Sequence, residues 1–167
     1  MKPIALLQLL KTELAEVLHT TVKAHPATQE DEYPHLSIDI QLGTEKEADN
    51  LHVFLYPINK TAFEYNDLLE FQYIFHDQVI ANMHEDLRAF IGLLNGVLPL
   101  GAICKQNEKL MLRYVLPIPH QHEPDIKAIA ESIVCLAGLV QMYEPIIFAL
   151  SKKEIGLSEA SYIGNLI

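Results

Sequence analysis

The spacing of apolar residues switches between the period of a helix and that of a strand along this chain, in an order that few small folds use. From Pro3 to Val22, Leu7, Leu10, Leu14, Val17 and Leu18 form one stripe, while Lys11, Glu13, Glu16 and Lys23 lie off it. That is the pattern of an amphipathic helix. Pro3 suits its first turn. His25-Pro26 is expected to end it, because a residue before proline disfavours the α region.

The period then shortens to two. Leu36, Ile38, Ile40 and Leu42 alternate with Ser37, Asp39 and Gln41. Leu51, Val53 and Leu55 oppose His52, Phe54 and Tyr56. From Leu69 to Val79, Phe71, Tyr73 and Phe75 oppose Gln72, Ile74 and His76. Three such strands read as an antiparallel meander.

A second helix is expected from an N-cap near Asn82, through Leu87, Phe90, Ile91, Leu94 and Leu98, to a stop at Pro99 and Gly101. Ala102 to Gln106 and Leu110 to Leu116 pair as a hairpin. A last helix opens at Pro124 and runs through Ile126, Ile129, Ile133, Leu136 and Val140, with Pro145 expected to kink or break it. The fold class is therefore α+β in the order α-β-β-β-α-β-β-α, a five-stranded, mainly antiparallel sheet with helices packed on it. Residues 1–150 read as a single domain, and 151–167 as a tail that docks on it or swaps onto a partner.

Charge and length narrow the function. A chain of 167 residues buries a core without staples. Its 12 basic and 22 acidic residues leave −10, which repels phosphate backbones and anionic lipid and favours basic protein partners. Cys104 and Cys135 fit free thiols of a reducing cytoplasm. The apolar N-terminal run is interrupted by Gln8, Lys11, Glu13 and Glu16, as in a mature helix rather than a signal peptide. Ser132 to Leu150 is mostly apolar but contains Gln141, Glu144 and Pro145, so a buried helix is the better reading than a membrane span.

Candidate chemistry is sparse. His120, His122, Glu123 and Asp125 offer metal-binding donors, but no further ligands are identified, and a solvated loop accounts for them. His76-Asp77 and His84-Glu85-Asp86 place histidines beside carboxylates without a nucleophile in a strained turn. The phosphate-loop, GxSxG, HExxH, EF-hand and dinucleotide fingerprints do not occur. The reading is a non-enzymatic protein with neither cofactor nor metal.

The aromatic residues say more. Phe54, Tyr56, Phe63, Tyr65, Phe71, Tyr73 and Phe75 crowd the second and third strands and their link. One helical layer covers one face of a sheet, so apolar residues on both faces imply a second cover. A homodimer, the tail or a captured peptide would supply it. Phe54, Tyr56, Phe71, Tyr73 and Phe75 are the candidate partner-binding residues.

The order of elements over residues 3–150, with the size and acidity of the chain, resembles the type III secretion chaperone-like fold, which includes the secretion chaperones and the YbjN-like proteins. The resemblance implies a cytoplasmic homodimer formed through the second helix, at Phe90, Leu94 and Leu98. It also implies capture of an extended segment of a client protein on apolar patches. The alternative that it carries is a YbjN-like regulatory or stress-response protein binding a folded partner.

Overall fold

His19 adopts a left-handed φ of 50°, and the first helix stops just before it. In the computed structural model, which describes residues 3–26, 33–40, 49–56, 66–75, 77–106, 108–119 and 123–166, helix α1 is Pro3–Leu18. Strand β1 follows at Val22–His25, where the sequence pattern implies the end of the helix. The β-branched run Thr20-Thr21-Val22 favours an extended chain, and His25 before Pro26 is itself extended.

Strands β2 (His35–Ile40), β3 (Asp49–Tyr56) and β4 (Asn66–Ile74) form the expected meander. The chain turns after Ile74 rather than continuing to Val79, and Asp77–Ala81 is a short helix, α2. Helix α3 spans Glu85–Val97, β5 Ala102–Gln106, β6 Lys109–Pro119, α4 Ile126–Ser151 and α5 Leu157–Ile163. Among the described residues the sheet has six strands, not five, in the order β1-β2-β3-β4-β6-β5, and every pairing is antiparallel.

Two local devices hold the ends together. Asp125 caps α4 by accepting a hydrogen bond from Ala128 N at 3.1 Å, which satisfies an orphan donor of the first turn. Gly101, at φ +73°, joins α3 to β5; a Cβ there would stand 2.7 Å from the Arg113 carbonyl oxygen. Glycine is the residue that fits both demands.

Helix α4 continues through Pro145. By length and composition it is the one described helix able to cross a membrane, with a mean hydropathy of 1.9. Here it packs against α1, α2, α3 and α5 and buries Ile129, Ile133, Leu136, Val140, Ile147 and Leu150. The tail is a docked helix: α5 lies against α3 and α4, with Ala160 buried.

The core joins α1 (Leu7, Leu10, Leu14), α3 (Leu87, Phe90, Leu94) and α4 to one set of strand positions. Those positions include Leu36, Ile38, Val53, Leu55, Phe71, Tyr73 and Leu112. Because successive strand residues point to opposite faces, the described helices cover one face of the sheet. The alternate residues line the other.

Candidate functional site

The face turned away from the helical core gathers titratable and aromatic side chains. Register builds it in rows. His25, His35, Phe54, Glu70 and Val115 stand opposite one another across five strands. The neighbouring row is Lys23, Ser37, His52, Gln72, Arg113 and Ala102. Beyond it, Ile74 and Cys104 flank Met111, and Leu68 faces Pro117 on the opposite side.

Three imidazoles gather at the β1 end. The rings of His25 and His35 stack with centroids 4.5 Å apart and planes 13° from parallel. His52 lies 5.6 Å from His35, and Phe54 lies 4.9 Å from His35 and 5.9 Å from His52. His25 Nε2 is 2.8 Å from Ser37 Oγ, a hydrogen bond whose donor depends on the tautomer. His35 is only 6% exposed and Ser37 4%.

At the centre of the face, Arg113 grips Glu70 with two nitrogens: Nε donates to Oε1, and Nη2 donates to Oε2 at 3.1 Å. Gln72 Nε2 donates to the same Oε1 at 2.7 Å. Glu70 is 5% exposed, so it is a buried carboxylate whose charge is met by a planar, bidentate partner.

Ser37 and His25 have the composition of a nucleophile and base, but Ser37 lies buried on a regular strand, and a nucleophile must reach its substrate. Glu70 already accepts three hydrogen bonds. Among the described residues, no group of three His, Cys, Asp or Glu side chains is placed to hold a metal ion. His76, His120 and His122 lie outside the described residues. His84 instead ties helices together, its Nε2 donating to the Leu150 carbonyl at 3.0 Å.

The proposed partner-binding aromatics separate by face. Phe54 is half-buried on the face turned away from the described helices, and the Tyr56 side chain lies outside the described residues. Phe71, Tyr73 and Phe75 point into the core and are buried, so they pack against helices rather than wait for a partner. Phe71 stacks with Tyr114 at 5.6 Å, and Tyr73 meets Phe75 edge-on at 5.2 Å.

The proposed dimer residues need the same correction. Phe90 and Leu94 are fully buried core residues, and Leu98 is half-buried against the core. A 3.6-residue period leaves another stripe of α3 outside. Leu93 is 45% and Val97 56% exposed there, and α5, which packs on α3, exposes Tyr162 at 77%.

The sheet edges are unequal. Asn95, on α3, reaches β5: its Oδ1 accepts from Ile103 N at 2.7 Å, and its Nδ2 donates to Ile103 O at 2.9 Å. One side-chain amide thus occupies both outward backbone groups of Ile103, as a neighbouring strand would. Edges closed in this way resist pairing with foreign strands. At the other edge, β1 is four residues long. Comparison with protein-family models, with curated proteins and with solved structures finds no match.

Proposed function

We propose that this chain is a non-enzymatic protein-binding module, most like a cytoplasmic secretion chaperone that captures an extended segment of a client protein. The observation that carries the reading is the sheet face turned away from the helices. There Phe54, Leu68, Ile74 and Val115 are half-buried between polar groups, with no described helix packed over them. An extended segment presents alternate side chains to such a surface and hydrogen-bonds at a sheet edge. With β5 closed at Ile103 by Asn95, the β1 side is the edge that suits it. The net charge of −10 favours a basic segment. The outer stripe of α3, with Leu93 and Val97, is the surface that suits a homodimer.

The test is a pull-down of the tagged chain from its native cells, with partners identified by mass spectrometry. A dominant partner retained when only its N-terminal segment is expressed supports the reading, provided Phe54→Asp weakens its capture while the far-ultraviolet spectrum and oligomeric mass are unchanged. Binding only to an intact folded partner would reject segment capture and leave the YbjN-like regulatory alternative. No partner at all would reject both.

A further inference from the structure

We propose that α5 is an exchangeable helix: the hinge at residues 152–156 straightens, and α5 of one copy fills the groove between α3 and α4 of a second. The observation behind this is a helix end that its local sequence does not specify. Helix α4 stops at Ser151, where Lys153 N donates to the Leu150 carbonyl and Glu154 N to the Ala149 carbonyl, both at 3.0 Å. Lys153 holds the left-handed corner at φ 59°. Glycine or asparagine commonly takes that place, and the residue after it commonly makes an apolar contact. Here the corner is a lysine, and the exposed Glu154 follows it. The end of α5 is the contrast, for Asn165 takes its corner at φ 54°. Lys152, Lys153 and Glu154 are helix formers by propensity.

What turns the chain is the docking of α5. Ala160 and Ser161 are buried, and Ile155, Leu157 and Leu166 pack against the core. The helix lies on α3 and α4. A second copy carries the same groove, so exchange preserves these contacts, as in domain swapping generally.

Only the hinge then differs between the two forms. A left-handed lysine costs a factor of about five to thirty in the equilibrium. Straightening relieves it, and taking Gly156 into a helix costs about fivefold in return. The balance is a factor of about one to six in favour of exchange, provided that the two copies are held together. Otherwise the chain's own α5 competes at an effective concentration in the millimolar range. The inference therefore rests on the homodimer proposed through the outer stripe of α3, the helix that α5 adjoins. At about 1.5 Å per residue, a straight hinge places α5 about 9–18 Å beyond the end of α4, clear of its own groove.

Gly164 supplies the probe. A Cβ there would stand 3.5 Å from Tyr143 Cε1, so the Gly164 α-protons and the Tyr143 ring lie within range of a nuclear Overhauser contact. Isotope-labelled and unlabelled full-length chains are unfolded together in urea, refolded and sized by light scattering. Isotope-filtered spectra then separate contacts between chains from contacts within one. The expected result is a dimer with the Gly164–Tyr143 contact between chains. Lys153→Gly, which relieves the corner, should lower the between-chain share at least threefold at unchanged dimer mass. Gly156→Ala, whose Cβ meets open space, favours the straight hinge and should raise that share. A dimer with the contact only within each chain would overturn exchange and leave the α3 interface standing. An undiminished between-chain share in Lys153→Gly would overturn the hinge. A monomer would reject the homodimer reading and exchange with it.

Discussion

Asn95→Ala isolates the closure of the β5 edge. The side-chain amide makes two hydrogen bonds, both to the backbone of Ile103, at 2.7 and 2.9 Å. A hydrogen bond contributes about 0.5–1.5 kcal/mol net, so the pair is worth about 1–3 kcal/mol. Asn95 is itself exposed, and water can replace much of what is lost, which places the expected cost in the lower half, about 1–2 kcal/mol. For a domain of this length each kcal/mol lowers the Tm by about 2–4 °C. Urea unfolding with a constant m-value gives the energy, and exchange of the Ile103 amide reports the site. Asn95→Asp keeps the acceptor for Ile103 N but turns a second oxygen toward the Ile103 carbonyl, so it should cost at least as much as alanine. A second consequence is association: with the edge open, the alanine variant should elute with more high-mass species at raised concentration. A change below about 0.3 kcal/mol, with Ile103 exchange unaltered, would refute the edge-closing role.

Four further variants probe the buried ion pair, the turn from α3 to β5 and the two faces of α3. Arg113→Met strands the buried Glu70 carboxylate and should cost about 2 kcal/mol, less than a fully buried pair because water reaches the Arg113 side; a cost under 0.5 kcal/mol in urea would show the pair to be dispensable. Gly101→Ala forces a side chain into a left-handed backbone and against the Arg113 carbonyl, for a loss of about 2 kcal/mol or more; a neutral Tm would contradict that geometry. Phe90→Ala should lose about 3–5 kcal/mol as a core cavity, whereas Leu93→Gln with Val97→Gln should change stability by less than about 0.5 kcal/mol. The double variant should also convert the proposed homodimer to a monomer by light scattering, and an unchanged oligomeric mass would remove the outer stripe of α3 as the interface.

Much of the fold is legible because periodicity is local. Leu36, Ile38, Val53, Leu55, Phe71 and Tyr73 alternate as half-buried strands must, and the meander, the hairpin and the last long helix follow from such patterns. What local periodicity does not show depends on contacts remote in sequence or on single backbone angles. Strand β1 has four residues, too few for alternation to declare itself, and the helix before it ends at the left-handed turn of His19. Val79 looked like a continuing strand because it is apolar; in fact it is buried from the short helix α2. Pro145 should break an isolated helix, yet α4 runs on with Ile146, Ile147 and Leu150 packed in the core. Tertiary burial outweighs local propensity at such positions.

The site was less legible for a different reason. Alternation divides the residues of a strand into two faces but does not say which face meets the helices. Phe71 and Tyr73 could have served a partner or the core, and the choice belongs to Leu10, Leu14, Phe90 and Ile133, which arrive from other segments and share one buried cluster with them. Once that choice is made, everything opposite follows by parity. Phe54 and His52 must lie with Glu70 and Gln72, and His35 and Ser37 with His25 and Lys23. No stretch of the sequence groups the three histidines, which stand at positions 25, 35 and 52. Only the register of two hairpins brings them together, and a shift of one residue in either would turn one or more of them into the core. That cost is a reason for the register to hold, since an imidazole in place of Ile38 or Val53 would bury a polar ring among Leu and Ile side chains.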